Sequence, residues 1–308
     1  MEIALKEVGN TFNPIQLTFL RFLIGSIILL PLAIKKLKTR GHGLNKKDIV
    51  FFAITGFICV VVSMSFFQLA VSYSKASTVA ILFSCNPVFV VPLACFLLKE
   101  KITKGTILTL TLNIIGIILI VNPVNMSSIF GIIFSLLAAA TFAVYSVVGQ
   151  SGSQKHGYDA IVLNSFSFLL GSFEMFLLIL ASKIHIVSSG FISMGMEDFA
   201  NIPVFKGITL EHLPALLFIG IMVTGLGYTF YFSAMEVTSA NKASIVFYIK
   251  PVLSPILAFL TIHEDILSNV RFGIILIMIG SSVTLISKRE KQTGAGAELL
   301  TSHFKRSA

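Results

Sequence analysis

The feature that most limits how this chain can fold is its series of long apolar runs. Nine can be delimited, at about 15–34, 49–71, 76–98, 104–122, 128–149, 159–182, 213–235, 240–262 and 270–287. A helix needs about 20 apolar residues to cross the hydrocarbon core of a bilayer. In that core each backbone N–H and C=O must be satisfied without water, which a helix does within itself. The expected fold is therefore all-α, a polytopic membrane protein with nine visible spans. Composition agrees, because only 12% of residues are charged, against about 25% in soluble domains.

The charge pattern sets a topology. The formal net charge of +9 could point to nucleic acid, but its distribution argues against that partner. The loop at 35–47 carries Lys35, Lys36, Lys38, Arg40, Lys46 and Lys47. Counted over alternate connections and the C-terminal tail, 16 basic residues fall on that side and 5 on the other. By the positive-inside rule the 35–47 loop and the C-terminus are expected in the cytoplasm. The N-terminus and the long 183–214 loop are then expected outside, that loop being solvated with at most one surface helix. The polar tail from Lys288 reads as disordered. Cys59, Cys85 and Cys95 lie in apolar runs and read as packing residues. MEIALKEVGN lacks the basic and apolar regions of a secretion signal.

One run is unlike the others. In SANKASIVFYIKPVLSPILAFLTIHE (239–264), Lys250 lies near the centre and Pro251 and Pro255 follow. A lysine at mid-membrane costs about 2.5–3.5 kcal/mol on insertion scales, so it normally faces a cavity or a partner. The prolines withhold two backbone donors and free the carbonyls of Phe247 and Pro251. Phe247 and Ser254 share the face of Lys250.

The two halves of the chain align at a shift of 164 residues without a gap. Gly56 then meets Gly220, Ala76 meets Ala240, Phe83 meets Phe247, Pro87 meets Pro251, Glu100 meets Glu264 and Gly116 meets Gly280. Charge counting puts Glu100 and Glu264 on opposite sides, so the halves are expected to be inverted repeats. Such repeats mark secondary transporters, whose binding site lies at the midplane between interrupted helices. Here those are the spans of Pro87/Pro92 and Pro251/Pro255.

With these motifs the sequence resembles the drug/metabolite transporter superfamily, EamA-type. The resemblance rests on SFFQLAVSYSKASTVAILFSCNPVFVVPLACFLLKEKIT (65–103) and its repeat GLGYTFYFSAMEVTSANKASIVFYIKPVLSPILAFLTIHEDI (225–266). It implies ten helices in two inverted five-helix repeats. Residues 1–125 would form the first repeat, 126–287 the second, and 288–308 a disordered cytoplasmic tail. MEIALKEVGN resembles the last turns of a first helix, so the first helix is expected to be truncated. The 183–214 loop is longer than the family norm.

The candidate substrate-binding residues are Lys250, Ser254, Phe247, Asn86, Gln68, Tyr228 and Tyr231. Asn86 is the repeat counterpart of Lys250, and the glutamine and tyrosines are polar groups at membrane depth. Each has a bland alternative, a structural ion pair for Lys250 and interhelical hydrogen bonds for the others. Glu174, deep in the 159–182 span, is the candidate coupling carboxylate or the ion partner of Lys250. Arg21 is expected to snorkel to the outer interface. The glycines of Gly225-Leu226-Gly227 read as close packing. No metal-ligand spacing, catalytic set or phosphate loop is present, so no enzyme activity, metal or cofactor is expected.

The expected function is secondary transport of a small organic solute with an anionic group, by alternating access, across the cell membrane. A passive facilitator of the same fold and a non-transporting scaffold are the alternatives. The expected partners are the substrate and the lipid bilayer, with a homodimer left open.

Overall fold

The computed structural model describes residues 1–9, 11–41, 43–121, 128–263, 268 and 271–279. Glu264, Gly280, half of the ninth run and the 288–308 tail lie outside these residues. The described residues contain helices and no strand: α1 (Glu2–Val8), α2 (Pro14–Arg40), α3 (Lys46–Tyr73), α4 (Ala76–Leu98), α5 (Lys104–Val121), α6 (Ile129–His156), α7 (Ala160–Ala181), α8 (His185–Ser193), α9 (Leu213–Val237), α10 (240–262) and α11 (271–279). Six of them, α2, α3, α4, α6, α7 and α9, are long and apolar enough to cross a membrane.

Local sequence explains the ends. Asn13 caps α2 by accepting from the N–H groups of Ile15 and Gln16, with Pro14 supplying the preset first turn. The helix stops at Gly41, whose φ of 66° is costly for any other residue. Asn45 and Asp48 form a reciprocal capping box at the start of α3. Asp159 caps α7, and Gly157 closes α6 with φ 72°.

Side-chain ties define two faces of the bundle. On the basic face, Lys36 pairs with Asp159 at 2.7 Å, Gln150 donates to the Met235 carbonyl, and the Glu100 carboxylate accepts from Ala240 N and Asn241 N. On the far face, Lys6 donates to the carbonyls of Val71 and Ser74. There the start of α2 holds the 196–206 segment: Asn13 donates to the Asp198 carbonyl and Gln16 to those of Val204 and Lys206.

Two kinds of interruption recur at nearly corresponding places in the two halves. The backbone of α3 is π-helical over Phe57–Ser63, and that of α9 over Phe218–Leu226. A π-turn inserts an extra residue and re-aims the side chains beyond it, and it often marks a functional site. The second interruption precedes a proline. α4 loosens at Ser84–Cys85 and restarts at Asn86-Pro87, while α10 is a 3₁₀ helix over Ser244–Ile249 and restarts at Lys250-Pro251. Pro87 and Pro251 thus sit in the first turn of a new helix, where the missing N–H costs least. Pro92 and Pro255 lie inside helices that continue through them.

Glycines set the closest crossings. A Cβ on Gly171 would lie 2.6 Å from the Gly56 carbonyl oxygen, so α3 and α7 touch backbone to backbone. Beside them Thr55 and Ser167 hydroxyls hydrogen-bond at 2.8 Å. α2 and α9 cross in the same way, with Gly25 against Gly220 and Gly225. The reading of Gly225 as a packing residue holds. Small residues at interfaces are how membrane helices gain contact without a hydrophobic driving force between them.

Candidate functional site

α1 packs against the second half of α3, the first half of α4 and the second half of α10. This wedge brings Glu2 to Lys250. Lys250 Nζ donates to Glu2 Oε1 at 2.6 Å, and the Glu2 side chain is only 4% exposed. Three rings surround the ammonium, with centroids at 4.8 Å (Phe83), 5.5 Å (Phe247) and 6.0 Å (Phe67). Such rings attract a cation through their negative faces. The restart of α10 therefore delivers its charged residue into an aromatic box rather than to lipid.

The box opens into a cavity of about 200 Å³ between α4, α6, α9 and α10. Lys250, Phe247, Tyr228 and Tyr231 line it together with Phe83 and Phe142. Four of the seven candidate binding residues thus meet in one place. Tyr228 donates to Met64 Sδ at 2.9 Å and stands edge-on to Phe22, Phe142 and Phe168.

The other three lie outside the cavity lining. Asn86 is fully buried and donates to the Ala139 carbonyl at 2.8 Å, so it ties α4 to α6. Gln68 is buried with no hydrogen-bond partner for either amide atom among the described residues. Ser254 is buried one turn beyond Lys250, its hydroxyl likewise without a partner there.

Two expectations are corrected. The ion partner of Lys250 is Glu2 and not Glu174, because α1 occupies the space in front of Lys250. Glu174 stays on α7, with Oε2 buried and unpartnered among the described residues. Arg21 does not snorkel; it is fully buried. α7 and α9 pack along α2 and enclose it. Its guanidinium stacks 4.7 Å from the Phe22 ring and donates from Nη1 to Met1 Sδ at 3.7 Å, and Met1 itself lines the cavity. Arg21 Nε and Nη2 have no partner among the described residues.

Glu2 and Arg21 are the functional candidates that reading the sequence missed. Glu2 lies in a segment too short to span, which read as the last turns of a helix with no part in the site. Arg21 carried a signal, a cation inside an apolar run, but near enough to the helix start to allow snorkelling.

Helices of this length and apolarity around a buried, charged cavity define a multi-pass integral membrane protein built to admit a solute. The EamA-like transporter family matches residues 2–122 and 129–286. A protein of Clostridium kluyveri named an uncharacterized transporter is 37% identical over 288 residues, covering 91% of this chain and 86% of that one. The transporter YoaV of Bacillus subtilis, also named uncharacterized, is 24% identical, covering 90% and 89%. A solved crystal structure, 18% identical, shares the fold with a TM-score of 0.61 over 94% of this chain and 95% of that one. The chain belongs to the EamA-like transporter family; it is a membrane transporter and not an enzyme.

Proposed function

We propose that this transporter carries a small organic solute with an anionic group, bound in the cavity at Lys250. The observation that carries this is a charge imbalance. Among the described residues three cations, the buried Arg21, the partly exposed Lys250 and the N-terminal ammonium, accompany one buried carboxylate, Glu2, and Lys250 and Met1 line the cavity. Unbalanced charge in a low-dielectric interior is costly. A bound anion would offset it, accepting from Lys250 or from the unpartnered guanidinium nitrogens. Phe247, Tyr228 and Tyr231 would hold the solute's apolar body. Ser254, Asn86 and Gln68 would take part as the helices around them shift.

The halves 1–125 and 126–287 are read as inverted repeats of one another. Support comes from the pre-proline restarts at Asn86 and Lys250, 164 residues apart, and from π-helical stretches at nearly corresponding places in the two halves. Alternating access follows as rocking of one repeat against the other about the cavity. The basic face is cytoplasmic in this reading, with the C-terminus, and the membrane is the plasma membrane. Glu174 is the proposed coupling carboxylate, because Oε2 has no partner among the described residues.

Counterflow in proteoliposomes tests the reading. Uptake of a labelled anionic solute should be accelerated by the same solute inside the vesicles and lost in Lys250→Met. Equal uptake by Lys250→Met, or a solute set that is neutral throughout, would overturn the anion assignment. Uptake with no counterflow would favour a facilitator.

A further inference from the structure

A second cavity, of about 360 Å³, lies on the far face between α2, α3 and α7. That volume is within the range of small-molecule sites. It exists because α3 and α7 pack closely only over the first part of α3, up to Ser63, and diverge beyond it. The Gly56–Gly171 crossing fixes the near end of this wedge. Val61 and Leu69 line α3's side, Met175 and Leu178 line α7's. From Val61 to the end of α3 at Tyr73 is about 18 Å of helix.

The connection between α7 and α9 roofs the wedge. Val187 and Phe191 of α8 point into it, and Phe199 stacks on Phe191 at 5.7 Å. The roof is anchored rather than loose. Ser182 accepts from Ile202 N at 3.1 Å through its hydroxyl and from Asn201 N at 3.0 Å through its carbonyl, besides the ties from Asn13 and Gln16. Its outer surface carries exposed apolar side chains, Ile186 at 81%, Met194 at 74% and Leu210 at 87%, among the exposed Lys183, His185, Glu197 and Lys206. A short helix with one apolar face down and apolar side chains out lies in the interface of a bilayer.

We propose that this cavity holds an acyl chain of a membrane phospholipid from the leaflet at the far face. The lining carries two polar side chains, Ser65 and Ser182, and the Ser182 hydroxyl is already committed to Ile179 and Ile202. A polar solute has nothing to orient it there, and water lacks the two to four partners it needs. Leu178 lines the cavity and is 47% exposed, beside the exposed Phe173, Leu177 and Leu180 of α7, so the cavity meets an apolar outer surface and the bilayer supplies the occupant. This site is separate from the Lys250 cavity and does not depend on what that cavity carries.

The chain contains no tryptophan, which gives a clean reporter. Phe191→Trp places one in the roof, and Phe173→Trp, at a side chain 58% exposed on α7, reports the lipid annulus. The full chain is held in detergent micelles and given a few equivalents of dibromostearoyl phosphatidylcholine. Dilution by detergent empties the annulus, so quenching at Phe191→Trp severalfold stronger than at Phe173→Trp is expected. Ser65→Phe, which fills the cavity from α3, should abolish the difference. If Phe191→Trp does not fold, Phe199→Trp takes its place. Equal quenching at the two positions, or quenching that survives Ser65→Phe, overturns the proposal. Stronger quenching by brominated stearic acid than by the phospholipid overturns the assignment to a membrane lipid.

Discussion

The Glu2–Lys250 pair should behave as a buried ion pair whose halves depend on each other. Oε1 and Nζ are 2.6 Å apart, and the side chains are 4% and 28% exposed. Lys250→Met leaves a carboxylate with almost no access to solvent and only the more distant N-terminal ammonium, 3.4 Å from Oε2, as a partner. Removing one partner of a fully buried pair costs about 3–5 kcal/mol, and the partial exposure of Lys250 puts this case near ~3 kcal/mol. Glu2→Gln strands the ammonium instead, but that group keeps its three rings and its cavity exposure, so about 1–2 kcal/mol is expected. The double variant removes both charges and keeps both shapes. It should return to within about 1 kcal/mol of the parent, since replacing a buried pair by uncharged groups is often neutral. Unfolding by SDS titration in mixed micelles reads all four proteins. A double variant whose loss equals the sum of the two singles would refute the pairing and detach α1 from the site.

Gly171→Val should destabilise by about 1–3 kcal/mol in the same titration, because its Cβ meets the Gly56 backbone, whereas Gly190→Ala, with open space around it, should be neutral. Glu100→Ala should speed hydrogen exchange at Ala240 and Asn241 by about fivefold, the loss of a cap of roughly 1 kcal/mol. In a Cys95→Ser background, an impermeant thiol reagent should label Ser189→Cys but not Thr39→Cys in intact cells; the reverse pattern would invert the topology. Glu174→Gln should flatten the pH profile of transport more than it weakens binding, and an unchanged profile would leave Glu174 without a coupling role.

The spans were legible because apolar length is a property of local sequence alone. The boundaries of α3, α4, α7 and α9 fall within a few residues of the apolar runs. Lys250 was legible because its cost in lipid holds whatever the fold. Its partner was not, since Glu2 acquires meaning only when α1 is packed against α10. Arg21 is ambiguous for the same reason: burial or snorkelling depends on whether α7 and α9 enclose that turn of α2. The π-turns at Phe57–Ser63 and Phe218–Leu226 leave no mark on an apolar pattern, because the residues stay apolar while their direction changes. The loop after α7 read as solvated from Glu197, Asp198 and Glu211, yet its Val187, Phe191, Phe199 and Ile202 cover an apolar cavity.

The central claim is that Lys250 holds the anionic group of the transported solute. The most direct measurement is a thermal-shift panel of carboxylates, phosphates and neutral analogues on the parent and on the Glu2→Gln/Lys250→Met variant, chosen because it is the one expected to keep the parent's stability. A ligand at one hundred times its Kd stabilises by about 2.7 kcal/mol, ample for detection. The account predicts that anionic compounds stabilise the parent and leave the variant unmoved. Anionic compounds that stabilise both proteins equally, or hits confined to neutral compounds, would contradict it.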